Sequence, residues 1–193
     1  DLGGLQQHLH VLHRPVAARQ GEGPAARRRA RGDPRPRQDA ARARGLAATL
    51  ATYVYGFTIE DIKTNLQTFI PSASQTPGRM NIFEFKEYKV LIDFAHNPDG
   101  FRGIKEFMSS VESPYKIGII TGTGDRRDED IREMGRISAQ MFDHIIIRQD
   151  KFLRGRLAED IVSLLVEGIK SEDPEQSYEY IPKEVEALEH ALS

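Results

Sequence analysis

"YKVLIDFAHNPDGFRGIKEFMSSVESPYKIGIITG" (residues 88–122) decides the fold. It opens on a short apolar run, Val90 to Ile92, then meets Asp93, His96, Asn97 and Pro98. Beyond Pro98 the apolar residues Phe101, Ile104, Phe107, Met108 and Val111 recur at three- and four-residue intervals, the spacing of one helical face. "YKIGIITG" is then a second apolar run of strand length. A strand, a helix and a strand in succession make a unit whose two strands run parallel.

The pattern repeats outward from this unit. A helix is expected over about 128–142, carrying Ile131, Met134, Ile137 and Met141, followed by the strand "HIIIRQ". Another helix over about 156–170 carries Leu157, Ile161, Leu164 and Leu165, and "YEYI" and "KEVEALEHAL" supply a last strand and helix. "NIFEF" (81–85) adds a strand on the amino-terminal side. The fold class is therefore α/β: a mainly parallel, Rossmann-like sheet covered by helices on both faces. A short helical segment precedes it. "LAATLATYVYG" should end at Gly56, and "TIEDIKTNLQTF" should start on the cap pair Thr58 and Asp61 with Ile59, Ile62, Leu66 and Phe69 on one face. The linker "IPSASQTPGR" separates this segment from the sheet. The expected divisions are 1–45, 46–76 and 77–193.

Charge divides the chain differently from its average of −2. Residues 1–45 hold ten Arg, no Lys and four acids, a balance of +6, whereas the rest holds 17 basic and 25 acidic residues, a balance of −8. The first 45 residues are rich in Arg, Ala, Pro and Gly and lack apolar periodicity, so they are expected to be disordered. A basic arm for nucleic acid is the functional alternative, weakened by the lack of interleaved aromatics. His8, His10 and His13 lie close together, but no acid or cysteine stands at matching spacing, and no metal site is assigned. There is no cysteine anywhere, which excludes disulfides, thiolate metal sites and cysteine nucleophiles. No secretory signal and no membrane-length apolar run is evident, so a cytoplasmic protein without a membrane partner is expected.

Ligands of open α/β sheets bind outside the carboxyl ends of the strands. Three polar clusters fall at such ends: Asp93, His96 and Asn97; "TGTGDRRDED" (121–130); and "RQDKFLRGR" (148–156). Asp93 and His96 form a conceivable acid–base or metal pair, but no third ligand is evident. "GTGDRR" places Arg127 where a dinucleotide fingerprint has its third glycine, and it reads equally as a tight turn with Asp125 capping the next helix. In a functional reading Gly122 and Gly124 let backbone approach a ligand, while Arg126 and Arg127 offer forks for carboxylate or phosphate. No Gly-Lys pair occurs, so there is no Walker-type phosphate loop.

Taken together, "PGRM" (77–80), "DFAHNPDG" (93–100), "GTGDRRDEDIREMG" (122–135) and "DKFLRGR" (150–156) resemble the C-terminal domain of the Mur ligase family, in the family's order and spacing. The resemblance is strongest to its cyanophycin synthetase branch, because "DKFLRGR" stands where cell-wall ligases carry Asp-Asn-Pro-Arg. It extends from about Leu46 to Ser193, with 46–76 similar to the closing helices of the central domain.

The resemblance implies an ATP-dependent amide-forming ligase in which ATP phosphorylates a carboxylate and an incoming amine displaces the phosphate. In this branch, arginine would be joined to aspartate side chains of an Asp/Arg polymer. ATP and Mg²⁺ would be held mainly by the central domain, so no catalytic residue is expected here. Arg79 would contact the nucleotide phosphates, and Asp93, His96 and Asn97 would line the nucleotide. Asp125, Arg126 and Arg127, with Asp150 and Arg154, would bound the amino-acid pocket. Asp128, Glu129 and Asp130 would favour a cationic amino acid or simply suit a helix N-terminus. The full-length enzyme is expected to be a homo-oligomer. This chain would be a fragment, inactive alone, lacking the P-loop and a final strand. Its first 45 residues would be a frameshifted reading of a GC-rich gene. The alternatives are another Mur-type ligase, for a cell-wall precursor or folate, and a stand-alone binding module with a basic arm.

Overall fold

The computed structural model describes residues 9–14, 35–69, 72–151 and 153–193. They fall in two compact units, one formed by residues 9–14 with 72–193 and the other by residues 35–69.

The larger unit is a six-stranded sheet with helices on both faces. Its strands are β1 (Leu9–Arg14), β2 (Asn81–Glu84), β3 (Lys89–Asp93), β4 (Tyr115–Ile120), β5 (His144–Ile147) and β6 (Ser177–Tyr180), in the order β2-β3-β1-β4-β5-β6. β4, β5 and β6 pair in parallel, and β1 is antiparallel to both β3 and β4. Four strands, β3 to β6, therefore share one direction and open their carboxyl ends on the same edge. The helices of this unit are α3 (Pro98–Ser110), α4 (Asp128–Ala139), α5 (Ala158–Glu172) and α6 (Glu184–Leu192).

Side-chain alternation along the strands divides the core between the two faces. Leu91, Ile120, Ile145 and Ile147 point to the face carrying α3, α4 and α5, where they meet Phe101, Ile104, Met108, Ile131, Met134 and Leu165. Val90, Ile119 and Ile146 point to the opposite face, against Ala187 and Ala191 of α6. Because β5 is covered on both sides, it reads as an unbroken "HIII" run and not as an alternation.

Two close approaches depend on missing side chains. A Cβ at Gly118 would lie 2.2 Å from Phe142 Cδ2, so the glycine gives the ring its place on β4. Cβ atoms at Gly135 and Gly168 would lie 2.2 and 1.9 Å from carbonyl oxygens of the facing helix, so these residues let α4 and α5 pack backbone to backbone. Along the surface Glu133 of α4 joins Arg102 of α3, at 2.8 Å, to Arg136, at 2.7 Å.

The smaller unit contains α1 (Arg35–Val54) and α2 (Ile59–Thr68). Gly56, at φ 108°, ends the first helical segment, and Thr58 and Asp61 form the expected capping box. Of the face expected to be apolar, only Ile62 is buried, while Ile59, Leu66 and Phe69 are exposed. Leu46, Leu50, Tyr53 and Val54 of α1 are exposed as well. Among the described residues, no helix is long and apolar enough to cross a membrane.

Within the first 45 residues two stretches are described. Residues 9–14 form β1 inside the sheet, and α1 begins at Arg35, ahead of Leu46. His10 and His13 thus lie on a strand, while His8 lies outside the described residues. Strand pairing is satisfied by backbone groups, which composition does not report. The remainder of this segment lies outside the described residues.

Candidate functional site

The carboxyl ends of β3, β4 and β5 carry the three polar clusters found in the sequence. At the end of β3, Asp93 Oδ2 accepts the backbone N–H of Met80 at 2.9 Å. Met80 holds φ 50°, a left-handed conformation uncommon outside glycine, so this carboxylate fastens a strained turn. Asn81 completes the turn. It is buried, its Oδ1 accepts Gly78 N–H at 2.6 Å, and its Nδ2 donates to Thr76 O and Arg79 O.

The turn presents Arg79 beside Phe94, with its guanidinium 4.8 Å from the centre of the ring. His96 tilts against the same ring, with centroids 4.9 Å apart, and its Nδ1 lies 2.9 Å from Phe94 O. Arg79, Phe94 and His96 make a cationic and aromatic ledge at the end of β3. Asn97 serves the backbone. Its Oδ1 caps α3 by accepting Gly100 N–H at 2.8 Å, with Pro98 at the first helical position. The four expected nucleotide-lining residues are thus neighbours, and two of them, Asp93 and Asn97, have their side chains committed to backbone.

The loops after β4 and β5 meet at Gly124. A Cβ there would fall 1.8 Å from Leu153 O, so only glycine lets the two backbones touch. Arg156 ties the same loops: its Nε donates to Gly124 O at 2.9 Å and its Nη2 to Arg126 O at 3.0 Å, while its Nη1 pairs with Asp128 at 2.7 Å. Arg154 and Asp125 form an ion pair across the two loops. Burial pushes the Asp125 carboxyl up, but Thr123, Arg154 and Arg126 together hold it below the ordinary carboxylate range. Arg154 and Gly155, at φ 49° and 91°, turn the second loop sharply.

Of the five residues expected to bound a pocket, the structure gathers Asp125, Arg126 and Arg154 in this junction. Asp150 is buried in the second loop at 1% exposure. Arg127 stands apart: it is exposed and holds Asp130 in a two-bonded fork, both bonds 2.9 Å. Asp125 does not cap α4. The cap position is Arg127, with no side-chain bond, and the acids Asp128, Glu129 and Asp130 fill the first turn. They suit the positive end of the helix dipole.

Sequence reasoning passes over Asn81, Phe94, Arg148 and Arg156. Arg156 leaves a signal as the third arginine of "RQDKFLRGR", and Arg148 leaves one as the charge that ends an apolar strand. Asn81 leaves none, because its partners are backbone atoms. Among the described residues no three His, Asp or Glu side chains converge as metal ligands. The described residues therefore offer Mg²⁺ no complete set of protein ligands, whereas Arg79 and its ledge fit an anionic, aromatic ligand such as a nucleotide.

Comparison with known proteins identifies the domain that carries these residues. The family model for the Mur ligase, glutamate ligase domain matches residues 78–193. Cyanophycin synthetase of Geminocystis herdmanii is 46% identical over 150 residues, covering 78% of this chain and 17% of that protein. The Synechocystis enzyme of the same name is 45% identical over the same length and shares. The UDP-N-acetylmuramoyl-L-alanyl-D-glutamate–2,6-diaminopimelate ligase of Caldanaerobacter subterraneus is 34% identical over 109 residues, or 56% of this chain and 22% of that ligase. The chain thus spans about one sixth of the length of its cyanophycin synthetase relatives. The family model covers more than half of the chain, including the carboxyl ends of β3 to β6 and the loop junction at Gly124, and the chain is a member of the Mur ligase family.

Proposed function

We propose that residues 78–193 form the substrate-side domain of an ATP-dependent ligase of the cyanophycin synthetase type. In this reading the enzyme joins arginine to the side-chain carboxylate of aspartate on an Asp/Arg polymer, in the cytoplasm, and assembles as a homo-oligomer. The observation that carries it is the strand edge itself, where one ledge suited to a nucleotide and one charged loop junction suited to an amino acid stand at the carboxyl ends of strands that share one direction. The higher identity and longer match to cyanophycin synthetases favour this branch over cell-wall ligases.

Each group then has its part. Arg79 meets nucleotide phosphate, and Phe94 and His96 offer an aromatic surface beside it. Asp125 and Arg154 set opposite charges where an amino acid presents a carboxylate and a cationic side chain. ATP supplies the phosphoryl group that activates the acceptor carboxylate. The residues of this domain bind and orient, and they bring the amine to the activated carboxyl group by positioning alone. Purified alone, the chain should form no amide bond from ATP, arginine and an Asp/Arg primer.

The test is a domain exchange. Residues 78–193 replace the equivalent domain of an active cyanophycin synthetase, and phosphate release is followed with arginine, lysine or diaminopimelate as the amine. Arginine-dependent turnover is the expected result. A folded chimera that turns over diaminopimelate and not arginine would place the domain in the cell-wall branch.

A further inference from the structure

The side chain of Arg148 is buried, at 2% exposure, directly beyond the end of β5. Its backbone N–H continues the ladder to Ile120 O at 2.9 Å. By alternation from Ile146 its side chain lies on the face of the sheet that α6 covers. Its Nη1 donates to Gln149 O at 3.2 Å and lies 4.0 Å from a carboxylate oxygen of Glu184, the first residue of α6. Its Nε and Nη2 are buried and have no hydrogen-bond partner.

Those two nitrogens form one edge of the guanidinium, with parallel N–H bonds matched to the two oxygens of an oxyanion. The same protein shows the edge in use, where Nε and Nη2 of Arg127 grip the Asp130 carboxylate. Arg127 is exposed and has its anion; Arg148 is buried and the same edge of its guanidinium meets no acceptor. A buried, charged donor edge without an acceptor is strongly disfavoured unless an anion completes it. No side chain caps α6 at Lys183, and its first turn carries Glu184 and Glu186. Of these, Glu184 lies on the Nη1 side of the guanidinium, away from the pair Nε and Nη2.

We propose that Arg148 is the floor of an anion site at the carboxyl edge of β5, roofed by the first turn of α6, which takes the two oxygens of a carboxylate or phosphoryl group. The site is separate from the Asp125–Arg154 junction, and it follows from the surroundings of Arg148, not from the ligase reading. Carboxylate and phosphoryl group share the geometry, so the two sources are separated by the probe.

The full 193-residue chain is titrated calorimetrically in chloride buffer with inorganic phosphate and, separately, with L-arginine as the carboxylate. An ¹⁵N spectrum follows the Arg148 Nε–H. The expected result is a saturable component for at least one probe, accompanied by a shift of the Arg148 signal. That component should be lost in Arg148→Met and weakened at least about tenfold in Arg148→Lys, which keeps the charge but loses the fork. Phosphate alone would identify a phosphoryl site, and arginine alone a carboxylate site. Absence of saturable binding by both probes, or equal binding by the parent and Arg148→Lys, overturns the proposal. Should Arg148→Met not fold, the lysine variant and the Nε–H signal decide. None of these readouts depends on ligase turnover, so failure here leaves the domain exchange to judge the ligase reading separately.

Discussion

Replacing Gly124 by alanine tests whether the loops after β4 and β5 are one unit. The added Cβ would sit 1.8 Å from Leu153 O, whereas an ordinary carbon–oxygen contact is about 3.3 Å. The backbones must therefore part by roughly 1.5 Å. Arg156 spans that same seam, with bonds of 2.9 and 3.0 Å to the carbonyls of Gly124 and Arg126, and neither survives such a displacement. Hydrogen bonds from a charged donor contribute about 1.5–3 kcal/mol each, and half-exposed ones lie at the low end. Losing both, or retaining them and absorbing the overlap as strain, costs about 2–3 kcal/mol. With a urea slope of about 2 kcal/mol per molar, the unfolding midpoint falls by about 1–1.5 M. The control is Gly103→Ala. Gly103 is exposed in the middle of α3 with nothing within 4 Å of a Cβ, so alanine there should raise stability by about 0.5–1 kcal/mol through helix propensity alone. A Gly124→Ala midpoint within about 0.3 M of the parent would refute the seam, because no cost on the expected scale could then be present.

Other consequences follow from single contacts. Asn97→Ala removes the cap of α3 and should cost about 1 kcal/mol in urea unfolding, while Asn97→Ser should restore most of it; equal losses would mean the amide serves something other than the cap. Glu133 is held down to about 2 by its hydrogen bond with Arg136, against the opposing effect of burial and with further help from Arg102. Because its folded pKa is depressed, this contribution is complete above the unfolded value and is lost as pH falls from about 4.5 towards 2. Allowing for solvent screening, Glu133→Gln should cost about 1–2 kcal/mol at about pH 7, with the difference from the parent shrinking steadily below about pH 4. A gap of constant size across that range would show that the carboxylate charge is not its source.

The elements legible in the sequence are those whose neighbours in space leave a pattern along the chain. Phe101, Ile104 and Met108 mark α3 because one face of a helix must be covered, and "HIII" marks β5 because both faces of that strand are. The capping box at Thr58 and the stop at Gly56 are readable for the same local reason. The site is legible only as far as its residue types. Asp93 and Asn97 stand out as polar ends of a strand, yet their partners are the backbone of Met80 and Gly100, so a chemical reading and a structural one share the same letters. Adjacency groups Arg127 with Arg126, but Arg127 turns outward because Asp130, one helical turn on, supplies a local partner. Arg148 and Arg156 carry no motif of their own; only burial and distance separate them from other arginines.

β1 marks where pattern reading stops for a physical reason. β3 and β4 run the same way but are not neighbours, since β1 lies between them. At the separation they hold, both would otherwise present an open row of N–H and C=O groups in the middle of the sheet, where water could not satisfy them once helices cover both faces. What this position requires is a length of backbone more than any particular side chain. "LHVLHR" meets it, with Val11 opposite both Leu91 and Gly118, and runs against both neighbours, since an antiparallel ladder serves the two edges as fully as a parallel one. Helical faces are specified by the chain's own periodicity, whereas this strand is specified by the edges it fills. Its position follows from β3 and β4, far along the chain, and from nothing in its own arginine- and alanine-rich surroundings.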